Sequence, residues 1–448
     1  MSFSIRQFNE SLYVEHLEEA SFIFEQRAAY LDDPEVTWLE LGEWDNRLEA
    51  HLDALVVGGG HAVSVCDERR IDCDDGELHA IVRVYCRHRA LSRIRDLFGE
   101  LVEAENDTVV AVAQALRHEM PSEWRDMMHE LAQHDSSQLR TIAAHVLGYR
   151  RLADPRILLQ QLSLTNDANE RREVAWALGR CGDDSAIAAL AALLDDAEVA
   201  ETAAVALMRL GHQQTVKTGH LALHQQAWPR RTLSLGAGPG AAQSLIDVIG
   251  FGDTAIVDSL GILGELSAVR PLLDCLSQEP LAAAAANALN TITGADLYED
   301  QFVADDFDPD ELFDHERELY EADGTVPTRD GETPFGSDVA VPTCDRERWE
   351  TWLAEHRNGF RAGVRHRLGQ SFSPRALLDT LTAEQSSHAL RVAAYEELVI
   401  RYRLAVPFEA DLPVPLQQGM LNQIAQWINQ LGSQFEAGRW YFNGQIVS

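Results

Sequence analysis

Lysine is almost missing from this sequence. Lys217 is the only one, so arginine carries nearly all of the positive charge. A GC-rich genome produces that bias, and no function follows from it. Positive charge of either kind is scarce: 37 Lys plus Arg stand against 72 Asp plus Glu, a net charge of −35. Nucleic-acid binding requires clustered basic residues to neutralise phosphates, and this balance excludes it. The same negative field steers basic partners towards the chain. No run of eighteen apolar residues occurs, so no membrane span is expected. The segment "MSFSIRQFNESLYVEHLEE" lacks the basic start, apolar stretch and cleavage site of a secretory signal, and the expected location is cytoplasmic. The six cysteines (66, 73, 86, 181, 275 and 344) form no CxxC pair, as expected of reduced thiols. The His/Cys-rich stretch 61–88 has gaps that match no zinc spacing, so scattered buried thiols and imidazoles are the simpler reading.

Against these absences stands one recurrent pattern. Leu-Gly pairs close helix-like segments at Leu147-Gly148, Leu178-Gly179, Leu210-Gly211 and Leu263-Gly264, with Thr293-Gly294 in the same role. A period near thirty residues, each unit reading helix–glycine–helix, predicts a helical solenoid. In "NERREVAWALGRCGDDSAIAALAALLDD", Val174, Ala175, Leu178 and Cys181 recur at helical spacing. Gly179 or Gly182 suits a helix C-terminus, and Asp183-Asp184 can start the next helix. Ile187, Leu190, Ala191 and Leu194 then give the second helix an apolar stripe. One such pair cannot bury its face alone, so stacking is obligatory. The reading places an N-terminal helical region at 1–106, repeats at 107–295, an acidic loop or linker at 296–345, and a helical C-terminal extension with an aromatic tail at 346–448.

The combination of "WLELGEWDNRLEAHLDALVVGG", the Leu-Gly repeats, "NTITGADLYED" and "WETWLAEHRNGFRAGVRHRLGQ" resembles a bacterial HEAT-repeat family over most of residues 10–405. Genes of that family often lie beside those of type VI secretion effectors. The resemblance therefore implies an immunity protein, or else an adaptor or chaperone that loads an effector.

Some HEAT-repeat proteins are enzymes. Deoxyhypusine hydroxylases place His-Glu pairs early in repeat helices to hold iron. The corresponding string here is "RREVAWALG", in which Arg172 stands where the ligand histidine belongs, and a guanidinium has no lone pair to offer. His118-Glu119 and His129-Glu130 lack a second histidine four residues on, as a zinc-protease helix requires. The glycines of "LGAGPGAAQ" only weakly echo a phosphate turn, and no GxSxG occurs. The expectation is no enzyme, no cofactor and no metal, with a hydroxylase- or lyase-like HEAT enzyme as the more distant alternative.

The most distinctive stretch outside the repeats is "DLYEDQFVADDFDPDELFDHERELYEAD"; residues 296–350 hold nineteen Asp and Glu against four Arg. It reads either as a solvated linker or as a docking strip for an electropositive protein. In the second reading Asp305, Asp306, Asp308, Asp310 and Glu311 supply charge, and Phe307, Phe313 and Tyr320 supply aromatic anchors. "DDFDPDE" lacks the twelve-residue calcium-loop pattern. Trp349, Trp352 and the tail Trp440-Tyr441-Phe442 are expected to pack as core or as solenoid caps. The whole is expected to be an all-α, HEAT-like helical-repeat solenoid that binds a basic protein, in the family's setting a co-encoded secreted toxin, by electrostatic capture.

Overall fold

The computed structural model describes residues 5–250, 252–304, 309, 312–328, 334–431 and 434–447. The fold is an all-α helical-repeat solenoid, with twenty-three α-helices and three two-stranded antiparallel sheets among the described residues. Two N-terminal helices, α1 (Ile5–Ala29) and α2 (Leu41–Val57), pack together, and α1 also packs on α4 (Asp75–Arg87). From there α4, α6 (Asn106–Glu119), α8 (Ser137–Tyr149), α10 (Ala168–Cys181), α12 (Ala200–Arg209), α14 (Pro229–Gly236), α16 (Thr254–Leu263) and α18 (Glu279–Thr293) stand side by side as one layer. The shorter helices between them, α5 (Leu91–Glu100), α7 (Arg125–Leu131), α9 (Pro155–Leu164), α11 (Ile187–Ala192), α13 (Gln214–Ala222), α15 (Ala241–Ile246) and α17 (Val269–Cys275), form the second layer, and α3 (Gly59–Arg69) packs on α1 and α2.

Local chemistry sets the helix starts. The side chains of Ser136, Asp167 and Asp253 accept the backbone N–H groups of Leu139, Glu170 and Ile256, satisfying donors that the helix cannot pair internally. The stops only partly follow the Leu-Gly expectation. Gly264 and Gly294 do end α16 and α18 in the left-handed conformation, at φ +74° and +57°. Gly148 and Gly179 instead lie inside α8 and α10, and their role is contact. A Cβ on Gly148 would sit 2.6 Å from Ala177 Cβ, and one on Gly179 would sit 2.7 Å from Ala206 Cα. Gly261 meets Ala288 in the same way, at 2.8 Å from its Cα. Glycine in one repeat thus receives alanine of the next, which draws neighbouring backbones of the layer together.

The described part of the acidic segment holds regular structure. Strand β1 (Tyr298–Ala304) pairs antiparallel with β2 (Gly336–Pro342), Tyr298 opposite Pro342, and α19 (Asp314–Asp323) lies between them in sequence. The C-terminal extension comprises α20 (Arg346–His356), a hairpin of β3 (His366–Arg367) and β4 (Gln370–Ser371), α21 (Pro374–Thr382), α22 (His388–Tyr402), α23 (Val414–Leu431) and a last hairpin of β5 (Tyr441–Phe442) and β6 (Gln445–Ile446). Trp349 is fully buried, and Trp440, Tyr441 and Phe442 are buried too. The tail does not cap an end repeat: it packs between α14 and α22, with Phe442 against Gly236 and Asn443 N–H on Ile400 O.

The extension doubles back along the solenoid and reaches the N-terminal helices. Trp38, Leu41, Phe372, Leu398, Phe408 and Ile424 share one hydrophobic core. Asp45 on α2 accepts the Val414 N–H at 2.6 Å, and Arg27 on α1 donates to Leu412 O at 2.9 Å. The two ends of the chain are therefore tied through packed apolar surface and buried polar bonds.

Candidate protein-interaction surfaces

The layer of α4 to α18 is the one the extension covers, and two sets of polar contacts hold the cover in place. In the first, arginines at the C-terminal ends of successive helices meet acids of the extension. Arg117 on α6 donates to Asp411 at 2.6 Å. Arg180 on α10 holds Glu409 through both carboxylate oxygens, and Arg209 on α12 holds Glu396 at 2.8 Å to each oxygen. Between them, Arg151 just past α8 donates to the Tyr395 hydroxyl at 3.0 Å. Trp176 backs Arg180, whose guanidinium lies 3.6 Å from the ring centre. Burial opposes the charge on Asp411, yet Arg117 outweighs it and holds the carboxyl down at about 2. Burial lowers Arg180, and the neighbouring Arg209 charge adds to that.

In the second set the polarity reverses, and arginines of the extension meet helix ends of the solenoid. Arg401 donates to Ser234 O and Ala237 O at the end of α14, and Arg365 donates to Leu263 O at the end of α16. These carbonyls are the unpaired, partly negative groups that helices leave at their C-termini. Arg365, Arg367 and Arg401 also converge on Glu397, and all four side chains are fully buried. The backbone completes the seam: Leu368 N–H bonds Thr291 O and Gly369 N–H bonds Ile292 O at the end of α18.

Known families enter at this point. The family model described as HEAT repeats matches residues 155–218, which include Arg180 and Arg209. The chain carries HEAT repeats. A search of curated proteins returns no match. HEAT repeats are protein-interaction scaffolds, and here one face of the scaffold is occupied by the chain's own extension.

In the HEAT array the His-Glu pairs are engaged by neighbouring groups of the chain. His118 accepts the Arg117 Nε–H at 3.0 Å, while Glu119 is claimed by Arg83 and Arg87. The His129 ring meets Leu152 O at 2.9 Å. Glu173 pairs with His145 across two repeats at 3.0 Å. Among the described residues no group of three or more His, Cys, Asp or Glu is arranged to hold a metal ion, and no helix is long and apolar enough to cross a membrane.

The expected docking strip is only partly within the described residues. Asp305, Asp306, Phe307, Asp308, Asp310 and Glu311 lie outside them. Phe313 and Tyr320 fall at the start and on the body of α19. Phe313 is 71% exposed, whereas Tyr320 is half-buried. No described residue of α19 is buried. Phe302, Leu319 and Phe335 are also exposed apolar residues of this insertion. On α19 the carboxylates of Asp314, Glu318, Glu321 and Asp323 are exposed as well. The arginine series on the covered face was missed from sequence. Its signal was present beside the Leu-Gly pairs, at Arg151, Arg180 and Arg209, but nothing local named the groups that would meet it.

Proposed function

We propose that this HEAT-repeat scaffold binds a basic protein through the insertion formed by β1, α19 and β2. One observation carries the reading: an acidic helix with no buried face presents Phe313 and neighbouring apolar side chains to solvent. Interfaces favour large apolar anchors surrounded by polar groups, and a net charge of −35 sets the sign of the partner. The covered face supports the same choice, since its Arg117, Arg180 and Arg209 are already paired with acids of the chain itself.

Within this proposal the partner is a secreted toxin of type VI type encoded beside the protein. Binding masks the toxin's basic working face in the cytoplasm, so the protein acts as an immunity protein rather than an enzyme. The resemblance to a family found beside such effectors supplies the partner class. An adaptor that loads the effector is the second reading, favoured by the same surface. The test is binding of the adjacent effector to the full chain, with Phe313→Ala and Leu319→Ala as variants. Truncating an anchor is expected to weaken binding about tenfold or more, and association should slow steeply with added salt. Protection of cells from the toxin marks the immunity role, and binding with toxicity retained marks the adaptor. Equal affinity for the variants, with no salt dependence, ends the proposal.

A further inference from the structure

The sheet of β1 and β2 has only two strands among the described residues, and a lone pair of strands is marginal in water without a third. β2 is held on the solenoid side: α18 packs against it, Val339 is buried and the Ser337 hydroxyl donates to Glu35. β1 is the open strand. From Glu299 to Ala304 every residue is exposed, including the apolar Phe302 and Val303. The Thr343 N–H donates to Leu297 O, and this bond fixes the alternation along the antiparallel ladder. Glu299, Gln301 and Val303 turn their main-chain groups to β2, whereas Asp300, Phe302 and Ala304 turn theirs away. At Tyr298 the outward carbonyl accepts from Arg348 at 3.1 Å, which closes that end of the edge. Among the described residues no main-chain bond occupies the outward groups of Asp300, Phe302 and Ala304. Strand edges are commonly blunted by proline, lysine or a bulge, and β1 has none of these: its seven residues pair in unbroken register.

We infer that the edge of β1 takes up an extended, basic segment of the protein partner as a third strand of this sheet. This mode of docking rests on the insertion being the protein-binding surface. Backbone pairing demands an extended occupant, because only a strand presents N–H and C=O groups at matching intervals. Charge selects its chemistry. Asp338 lies opposite Phe302, and Asp300 is two residues along the same face of the sheet. A lysine or arginine beside these carboxylates and an apolar residue beside Phe302 complement them. Glu299 adds nothing to the recognition, since Thr343 and Arg348 already hold its carboxylate. A second copy of the chain is a poorer occupant, because each copy brings a net charge of −35.

The test uses the full-length protein and, as probe, a capped heptapeptide of alternating lysine and valine. Calorimetry should give a Kd on the order of 10–100 μM. The same peptide methylated at every backbone nitrogen keeps its side chains and charge but loses its donors, and it should bind about tenfold more weakly or worse. A glutamate–valine peptide should be weakened at least as much. Asp300→Pro removes an outward N–H without touching the ladder to β2, and it should weaken the lysine–valine peptide about tenfold beyond Asp300→Asn, which removes the charge alone. The methylated peptide reads the same point on the unaltered protein should the proline variant fail to fold. Strand addition is overturned if the lysine–valine peptide does not bind, if methylation leaves its affinity unchanged, or if folded Asp300→Pro matches Asp300→Asn. A dimer of the full chain that Asp300→Pro dissolves assigns the edge to a second copy and overturns the basic occupant. With the adjacent effector, binding lost in Phe313→Ala but kept in Asp300→Pro leaves the insertion as the docking surface and refutes strand addition alone. An effector that fails to bind the unaltered chain refutes the toxin reading, and the peptide series then decides strand addition by itself.

Discussion

Glu397 is the residue on which the seam between solenoid and extension most depends, and its replacement by glutamine gives a quantitative test. Its carboxylate accepts from Arg365 at 2.8 Å, Arg367 at 2.7 Å and Arg401 at 3.1 Å, with all four side chains fully buried. Glutamine keeps the shape, removes the charge and turns one acceptor into a donor facing other donors. Breaking a buried ion pair from one side costs about 3–5 kcal/mol, because the stranded charge has no solvent. Burial, with Arg365 nearby, already disfavours the charged form of Arg401, so the loss of Glu397 leaves it without the charge that offsets that burial. Urea unfolding followed by tryptophan fluorescence should show a fall in midpoint with the slope unchanged, and Tm should drop by several degrees. Adding Arg367→Met to Glu397→Gln should recover part of the loss, since removing both charges relieves the imbalance. A loss below about 1 kcal/mol, the value for an exposed pair, would refute the claim that this carboxylate neutralises a buried positive cluster.

Two further predictions concern pH and packing. His79 is buried and stacked on Phe24 at 3.9 Å, and His118 accepts from Arg117; burial, followed by nearby arginines, depresses both well below the ordinary histidine value. A depressed histidine is neutral when folded and protonates when unfolded, so its penalty is absent above pH 6.5 and grows as pH falls below it. The two together should remove about 2 kcal/mol over the first pH unit below that point; unfolding at pH 7.5, 6.0 and 5.5 measures it, and equal stability across the series contradicts it. Gly179→Ala should destabilise by about 1–3 kcal/mol despite alanine's better helix propensity, because its methyl meets the Ala206 backbone. A rise in Tm would show that α10 and α12 separate freely.

What was legible in the sequence was local. Helical periodicity, Ser and Asp caps and the thirty-residue repeat are encoded within a few turns of chain, so the all-α solenoid is legible in the sequence alone. The same text could not separate the two jobs of its glycines. Gly264 stops a helix and Gly179 admits a neighbour, and only the approach of Ala206 from the next repeat distinguishes them. The strand pairing of Tyr298–Ala304 was equally hidden, since its partner begins at Gly336 and neither segment shows a clear alternation of apolar and polar residues. The largest gap was electrostatic. A net charge is a sum over composition, but where each charge lies depends on contacts between segments remote in sequence, such as Arg117 with Asp411 and Arg209 with Glu396. Sequence alone determined a negatively charged stack of helix pairs. Only the tertiary structure decided that one face of that stack is lined with arginines and closed by the chain's own acids, because a chain that folds back on itself brings together residues that no local pattern relates.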